Sequence, residues 1–315
     1  MLGVDTSCYT TSVALMAVKG RLLADERQLL TVQPGRKGLA QSEMVFQHTR
    51  NLPALIERLD LSGIRLKAVG VSARPRPLEA SYMPAFLAGH GLARSLAHML
   101  QVPLYETTHQ HNHMYAGLWS VGEGVPERFL LVHISGGTTD LLLAERQDFA
   151  GCEVKLTPLG TSIDLHAGQF IDRVGVAVGL SFPCGASLEA LGKTAKEPYI
   201  LPVWTREGSL SLSGPCTKAL RALEKGADPA AVALGVEQVI AKGLSKTIYY
   251  WCKEQQVDQV LLAGGVSANG EIRKILTDFL GRRQVALWCP LPRYSVDGAV
   301  GTAWYGIMKY QQEET

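Results

Sequence analysis

LGVDTSCYTTSVALMAV, residues 2–18, and RFLLVHISGGTTDLLLAE, residues 128–145, read alike. In each, apolar and β-branched runs flank a small polar turn, Ser7-Cys8-Tyr9-Thr10-Thr11 in the first and Ser135-Gly136-Gly137-Thr138-Thr139 in the second. Such runs broken by a short polar turn predict β-hairpins. Two hairpins of the pattern S-x-x-T-T predict a duplicated α/β lobe, with turns whose backbone N–H groups and hydroxyls can face an anion. The shared pattern is short enough to arise by chance, so the segments around it have to carry the case.

Those segments alternate between strand and helix. SEMVFQHTRNLPALIERL (42–59) has apolar residues at helical spacing, with Ser42 as the expected N-cap. KAVGVSA (67–73) reads as a buried strand, PAFLAGHGLARSLAHML (84–100) as an Ala/Leu-rich helix, and residues 228–255 as a long helical stretch. The last helix is expected to begin near Asp297 and run through AVGTAWYGIMKY. In QVLLAGGVSANGEIRKIL (259–276) a Gly264-Gly265 turn joins a strand to a helix. Glycines there admit a ligand close to the backbone, and a helix N-terminus favours negative charge. Neither a Walker loop nor a G-x-G-x-x-G fingerprint is present.

Composition narrows the class. With 46% hydrophobic and 19% charged residues in 315, the chain reads as globular, and its length suits one large domain or two ordinary ones. A formal charge of +2 excludes a strongly basic nucleic-acid coat. No apolar run approaches the roughly 20 residues that span a bilayer, and no signal peptide is expected at the start. Six cysteines, at 8, 152, 184, 216, 252 and 289, include no C-x-x-C. Reduced, mostly buried thiols in a cytoplasmic protein are the expectation.

Three of the eight histidines lie in Thr108-His109-Gln110-His111-Asn112-His113. On a helix, His109 and His113 share a face and offer a two-imidazole grip on a metal, while His111 points elsewhere. A polar surface turn is the alternative. The spacing invites comparison with H-E-x-x-H proteases, but the Glu general base is replaced by Gln110, which disfavours hydrolysis by that route. A third ligand would be a distant carboxylate. Asp297 is the candidate, with helix capping as its other reading.

Taken together, these motifs resemble the tRNA threonylcarbamoyladenosine transferases, formerly called O-sialoglycoprotein endopeptidases or glycoproteases. The resemblance runs nearly the whole chain: GVDTSC, the H-x-x-x-H of His109 and His113, ISGG at 134–137, SIDLHAGQFIDRVGVAVGLSFPCG at 162–185, SLSLSGPCTKAL at 209–220, LLAGGVSANGEIR at 261–273 and SVDGA at 295–299. It implies an α/β fold of two ribonuclease-H-like lobes, as in the actin, hexokinase and heat-shock-70 ATPases, with a nucleotide cleft between them. The lobes would span 1–107 plus 298–315 and 108–297. It implies one divalent ion, iron or zinc, on His109, His113 and Asp297. It implies an adenine nucleotide or adenylate substrate against Ile134, Ser135, Gly136, Gly137, Thr138, Asp172, Gly185 and Asn269, with Asp172 on ribose hydroxyls and Asn269 on the adenosine. The implied reaction moves threonylcarbamoyl from its adenylate to N6 of the adenosine beside the tRNA anticodon. Implied partners are tRNA, a paralogous protein of the same fold and a small ATPase, with no membrane.

The chain departs from the family pattern at several loops. Asp5 stands for a Glu, Tyr9 and Thr10 for an acidic pair, Thr138 for a His, and Asp140 for an uncharged residue. Arg74 and Arg76 stand where glycines are usual, either to hold phosphate or RNA backbone or as a solvated turn. These changes leave open a divergent paralogue that carbamoylates another acceptor, or a non-catalytic partner subunit.

Overall fold

The computed structural model describes residues 1–33 and 38–315. Two compact units emerge: unit one is Met1–Val125, Arg146–Val154 and Val296–Thr315; unit two is Pro126–Glu145 and Lys155–Ser295. This division differs from boundaries at 107/108 and 297/298. Residues 108–125, 146–154 and 296–297 all group with unit one. The reason is packing within that unit, where the histidine-bearing helix lies against the C-terminal helix.

Unit one contains β1 (Leu2–Asp5), β2 (Thr10–Met16), β3 (Leu22–Leu29), α1 (Gln41–Glu57), β4 (Val69–Arg74), α2 (Phe86–Leu100), β5 (Leu104–Thr108), α3 (His109–Val121) and the C-terminal helix (Val300–Glu314). Its sheet has the order β3-β2-β1-β4-β5. The first three strands are antiparallel, and β4 and β5 run parallel to β1. Register sets Val4 beside Val13 on one flank and Val71 on the other. These valines pack with Leu52 and Leu55 of α1 and Ala93 and Ala97 of α2. Each buried Val or Leu among them contributes about 1.5–3 kcal/mol against exposure to water. Ser42 is not the cap of α1: the helix starts one residue earlier, and its N-cap is Ala40, which makes no side-chain capping bond.

Unit two contains β6 (Arg128–Ile134), β7 (Thr139–Arg146), β8 (Val154–Thr161), α4 (Ala167–Ala177), α5 (Gly185–Gly192), β9 (Trp204–Arg206), β10 (Ser209–Ser211), α6 (Ser213–Glu224), α7 (Pro229–Gln255), β11 (Gln259–Ala263), α8 (Gly270–Gly281), β12 (Ala286–Trp288) and α9 (Pro292–Ser295). Its main sheet has the order β12-β11-β6-β7-β8. Strands β6 and β7 pair antiparallel, while β11 runs parallel to β6 and β12 to β11. Numbered by appearance within each five-stranded sheet, leaving aside the separate β9–β10 hairpin, both read 3-2-1-4-5. The duplication read from two short turns thus extends to whole sheets, as ribonuclease-H-like lobes require. Phe170, Val174, Val236, Ile240, Leu262 and Ile272 belong to this unit's core.

Candidate metal centre and nucleotide residues

Helix α3 opens on the first histidine because Thr108 caps it, its side chain accepting from His111 N–H. Helical spacing then puts His109 and His113 on one face, as expected. Both are buried. Their Nε2 atoms lie 3.1 Å apart. Asp297 Oδ1 lies 3.2 Å from His113 Nε2 and 3.5 Å from His109 Nε2. His111 points away, Nδ1 to Thr108 Oγ1 at 2.8 Å and Nε2 to the Val154 carbonyl at 2.8 Å.

The capping reading of Asp297 does not hold. The C-terminal helix begins three residues later, at Val300, with Ala299 as N-cap and no side-chain capping bond. The Asp297 carboxylate is turned to the histidines instead. Two further groups fix that segment. Asn112, between the two histidines on α3, donates from Nδ2 to the Gly298 carbonyl at 2.7 Å and accepts on Oδ1 from Thr302 N–H at 2.9 Å. Arg27 Nη1 donates to the Asp297 carbonyl at 3.0 Å, and the same guanidinium grips Asp25 at 2.8 and 2.9 Å. Gly301 permits the approach: a Cβ there would stand 1.9 Å from the Asn112 carbonyl.

Behind His109, on the far side of its ring, Asp5 Oδ1 is 3.7 Å from Nδ1. Ser7 Oγ donates to the other Asp5 oxygen. Burial opposes charge on either imidazole. At His109 the Asp5 and Asp297 carboxylates prevail and raise its pKa; at His113 burial and the neighbouring His109 lower it. Burial also works to raise Asp297, but the two imidazoles and Arg27 outweigh it and hold its carboxyl below the usual range.

This donor set fits a cation. A metal about 2.0–2.2 Å from each of three N and O ligands sets those ligands about 3.0–3.5 Å from one another. The separations here, 3.1, 3.2 and 3.5 Å, fall in that window. A carboxylate behind one imidazole is the usual outer partner that fixes a metal-bound ring. Arg27 and Asn112 carry no motif signal, and Asp5, although part of GVDTSC, was not read as a partner of His109.

The eight nucleotide candidates all belong to unit two. Ile134 ends β6, and Ser135 to Thr138 form the turn, closed by Ser135 N–H to the Thr138 carbonyl at 2.8 Å. Gly136 and Gly137 are exposed and open where a Cβ would be. The start of α4 abuts this turn, with Gly168 N–H donating to the Ser135 carbonyl at 3.2 Å and Ala167 N–H to Thr139 Oγ1 at 2.9 Å. Asp172 lies farther along α4 and is half-buried; its Oδ1 accepts from Cys184 N–H at 2.8 Å, which seats Gly185 at the start of α5. Burial raises the Asp172 pKa against that bond. Gly264, at φ +88°, brings β11 against the end of β6; a Cβ there would lie 2.4 Å from the Ile134 carbonyl. Asn269 caps α8, accepting from Ile272 N–H at 2.9 Å, and donates to buried Glu237 at 2.8 Å. Gly270 N–H donates to Glu189 of α5 at 3.1 Å, so the starts of α5 and α8 are tied together.

The remaining sequence features are placed as follows. Arg74 and Arg76 are exposed where β4 ends. Cys184 is a buried thiol, and all six cysteines are free. Among the described residues no helix is long and apolar enough to cross a membrane.

Comparison with known proteins gives the site a family. A protein from Thermus thermophilus called tRNA N6-adenosine threonylcarbamoyltransferase is 33% identical over 281 residues, covering 87% of this chain and 83% of its own. A protein of the same name from Methanopyrus kandleri is 27% identical, covering 98% and 87%. Among solved structures, component A of (R)-2-hydroxyglutaryl-CoA dehydratase from Acidaminococcus fermentans superposes with TM-score 0.58 at 14% identity, covering 99% and 98%. A ROK family glucokinase from Streptomyces griseus gives 0.53 at 12%, covering 96% and 97%. At 14% and 12% identity, these likenesses show a shared fold over nearly the whole chain. The family model for TsaD, tRNA N6-adenosine threonylcarbamoyltransferase, matches residues 39–304, and the chain belongs to that family.

Proposed function

We propose that this chain transfers a threonylcarbamoyl group from threonylcarbamoyl-adenylate to N6 of the adenosine beside the tRNA anticodon, with one iron or zinc ion on His109, His113 and Asp297. The observation that carries this reading is the convergence of those three donors at 3.1–3.5 Å in a chain of the transferase family. Held there, a divalent ion supplies a Lewis acid for the carbamoyl carbonyl. Asp5 keeps the His109 ring oriented, and Arg27 and Asn112 keep the Asp297 segment beside it.

In unit two, the open N–H groups of Gly136 and Gly137 receive phosphate oxygen. The Asp172 Oδ2 accepts from ribose hydroxyls, since Oδ1 is held by Cys184. Asn269 keeps one amide hydrogen for the adenosine, the other being given to Glu237. Transfer forms the bond from N6 to the carbamoyl carbon, breaks the bond from that carbon to the phosphate oxygen, and releases AMP and a proton. Phosphate contacts dominate RNA affinity, and a formal charge of +2 is modest for stand-alone tRNA binding. A same-fold partner and a small ATPase in the cytoplasm fit that shortfall, with Arg74 and Arg76 as local backbone contacts.

The test is mass spectrometry of anticodon-loop adenosine in a strain lacking its own transferase. Expression of this chain should restore the modified nucleoside, and His113→Ala should not. Absence of the modification while the protein still binds metal and adenine nucleotide would contradict the reading. It would favour another acceptor, in line with the altered loops at Tyr9, Thr10, Arg74, Arg76 and Thr138.

A further inference from the structure

We propose that Cys8 is a further donor to the cation of His109, His113 and Asp297, a proposal that rests on the metal reading above. Cys8 Sγ, a ring nitrogen of His109 and a carboxylate oxygen of Asp297 lie within 4.8 Å of one another. With sulfur about 2.3 Å and nitrogen or oxygen about 2.1 Å from a metal, donors on opposite sides of it stand about 4.4 Å apart. In a four-donor site, neighbouring donors stand roughly 3.6 Å apart, so the thiol borders the ion's place and joins the set by a small inward shift of its turn.

The turn that presents this thiol is built for it. Cys8 has φ +47°, a left-handed conformation usually left to Gly, Asn or Asp. Its carbonyl accepts from His48 Nε2 at 3.3 Å. That donor role makes the His48 Nδ1 an acceptor, and it takes the Thr11 hydroxyl hydrogen at 2.9 Å. Asn51 Nδ2 in turn donates to Thr11 Oγ1 at 3.2 Å. A chain of bonds from α1 thus fixes a backbone shape that a cysteine side chain does not favour.

Charge calls for the cation: burial and the Asp297 and Asp5 carboxylates oppose a bare Cys8 thiolate, so the thiol loses its proton only to a metal. Asp5 is fully buried, with the His109 ring 3.7 Å from its Oδ1 and the Ser7 hydroxyl on its other oxygen. Arg27 is engaged by Asp25, so it does not offset both Asp5 and Asp297. Buried carboxylates in excess call for a cation. A dication bound by Asp297, a Cys8 thiolate and two neutral imidazoles forms a neutral set. The metal–sulfur bond forms as the thiol proton leaves to solvent. A thiolate among the donors selects zinc or cobalt over magnesium or manganese.

The experiment loads metal-free full-length protein with Co(II) alone and reads its near-ultraviolet spectrum beside its cobalt content. Wild type should bind one Co(II) per chain and show a thiolate-to-cobalt charge-transfer band. Cys8→Ser and Cys8→Gly should still bind cobalt, lose the band, and lose at least about 10-fold in affinity, the scale on which even outer-sphere partners act. The glycine variant suits the left-handed backbone and guards against a folding failure. One bound cobalt without the band in wild type, or a band that survives both variants, overturns the role of Cys8 alone. Failure of wild type to bind cobalt, or binding untouched by His109→Ala, overturns the metal reading beneath it.

Discussion

Asn112 shows how much a single amide can decide. It lies between the two histidines in sequence, and both its polar atoms are spent on the Asp297 side of the site, at Gly298 and Thr302. Asn112→Ala should therefore cost about 2–3 kcal/mol, because two buried backbone groups lose their partners. It should also weaken metal binding without removing any ligand; a thermal melt and a chelator competition read the two effects. Glu237 is the corresponding residue in unit two. Burial, with like charge from Glu189 and Glu271, outweighs the bond from Asn269 and pushes it up to about 7 from 4.5. Between those values the unfolded chain gives up its proton first, so stability should fall as pH rises from about 4.5 to about 7. The loss is on the order of 2–3 kcal/mol, and Glu237→Gln should flatten that part of the profile in denaturant titrations. An unchanged profile would mean that Glu237 ionises normally in the fold. His109 and His113 were legible in the sequence because a helix turns spacing of four into adjacency. Asn112, Arg27, Asp5 and Glu237 were not, since their partners lie up to 270 residues away and no local pattern encodes such contacts.

At the scale of elements, the hairpins and the long helix α7 were readable because residue patterning is a local signal; the structure adds that Asp228 caps α7. Strand β3 was not: LLADERQL is an edge strand, half-exposed and charged, so it lacks a clean alternation. Strand β8 contains Pro158 and Gly160, which mask its pattern, and β12 has three residues. The contact of α3 with the C-terminal helix was likewise invisible, although it brings the three candidate donors together. Gly301→Ala tests that contact. Its methyl group would meet the Asn112 carbonyl, and backbone does not yield cheaply, so the cost should reach about 1–3 kcal/mol or more. Metal affinity should drop with stability. A stable variant with full affinity would show that the close approach does not set the site.

The whole molecule repeats one sheet topology and divides its chemistry between the copies. The metal candidates all belong to unit one and the nucleotide candidates all to unit two. The duplication was visible in two turns, and the order 3-2-1-4-5 in both sheets gives it its physical basis. What the sequence obscured was the unit boundary, because α3 and the stretch 146–154 pack with the first unit although they follow it in the chain. The most direct measurement is the metal content of the purified full-length protein by elemental analysis, for wild type and for His109→Ala, His113→Ala and Asp297→Ala. The expected result is about one iron or zinc per chain in wild type and little or none in each variant. A full equivalent retained by all three variants, or none in wild type after loading with either metal, would contradict the account.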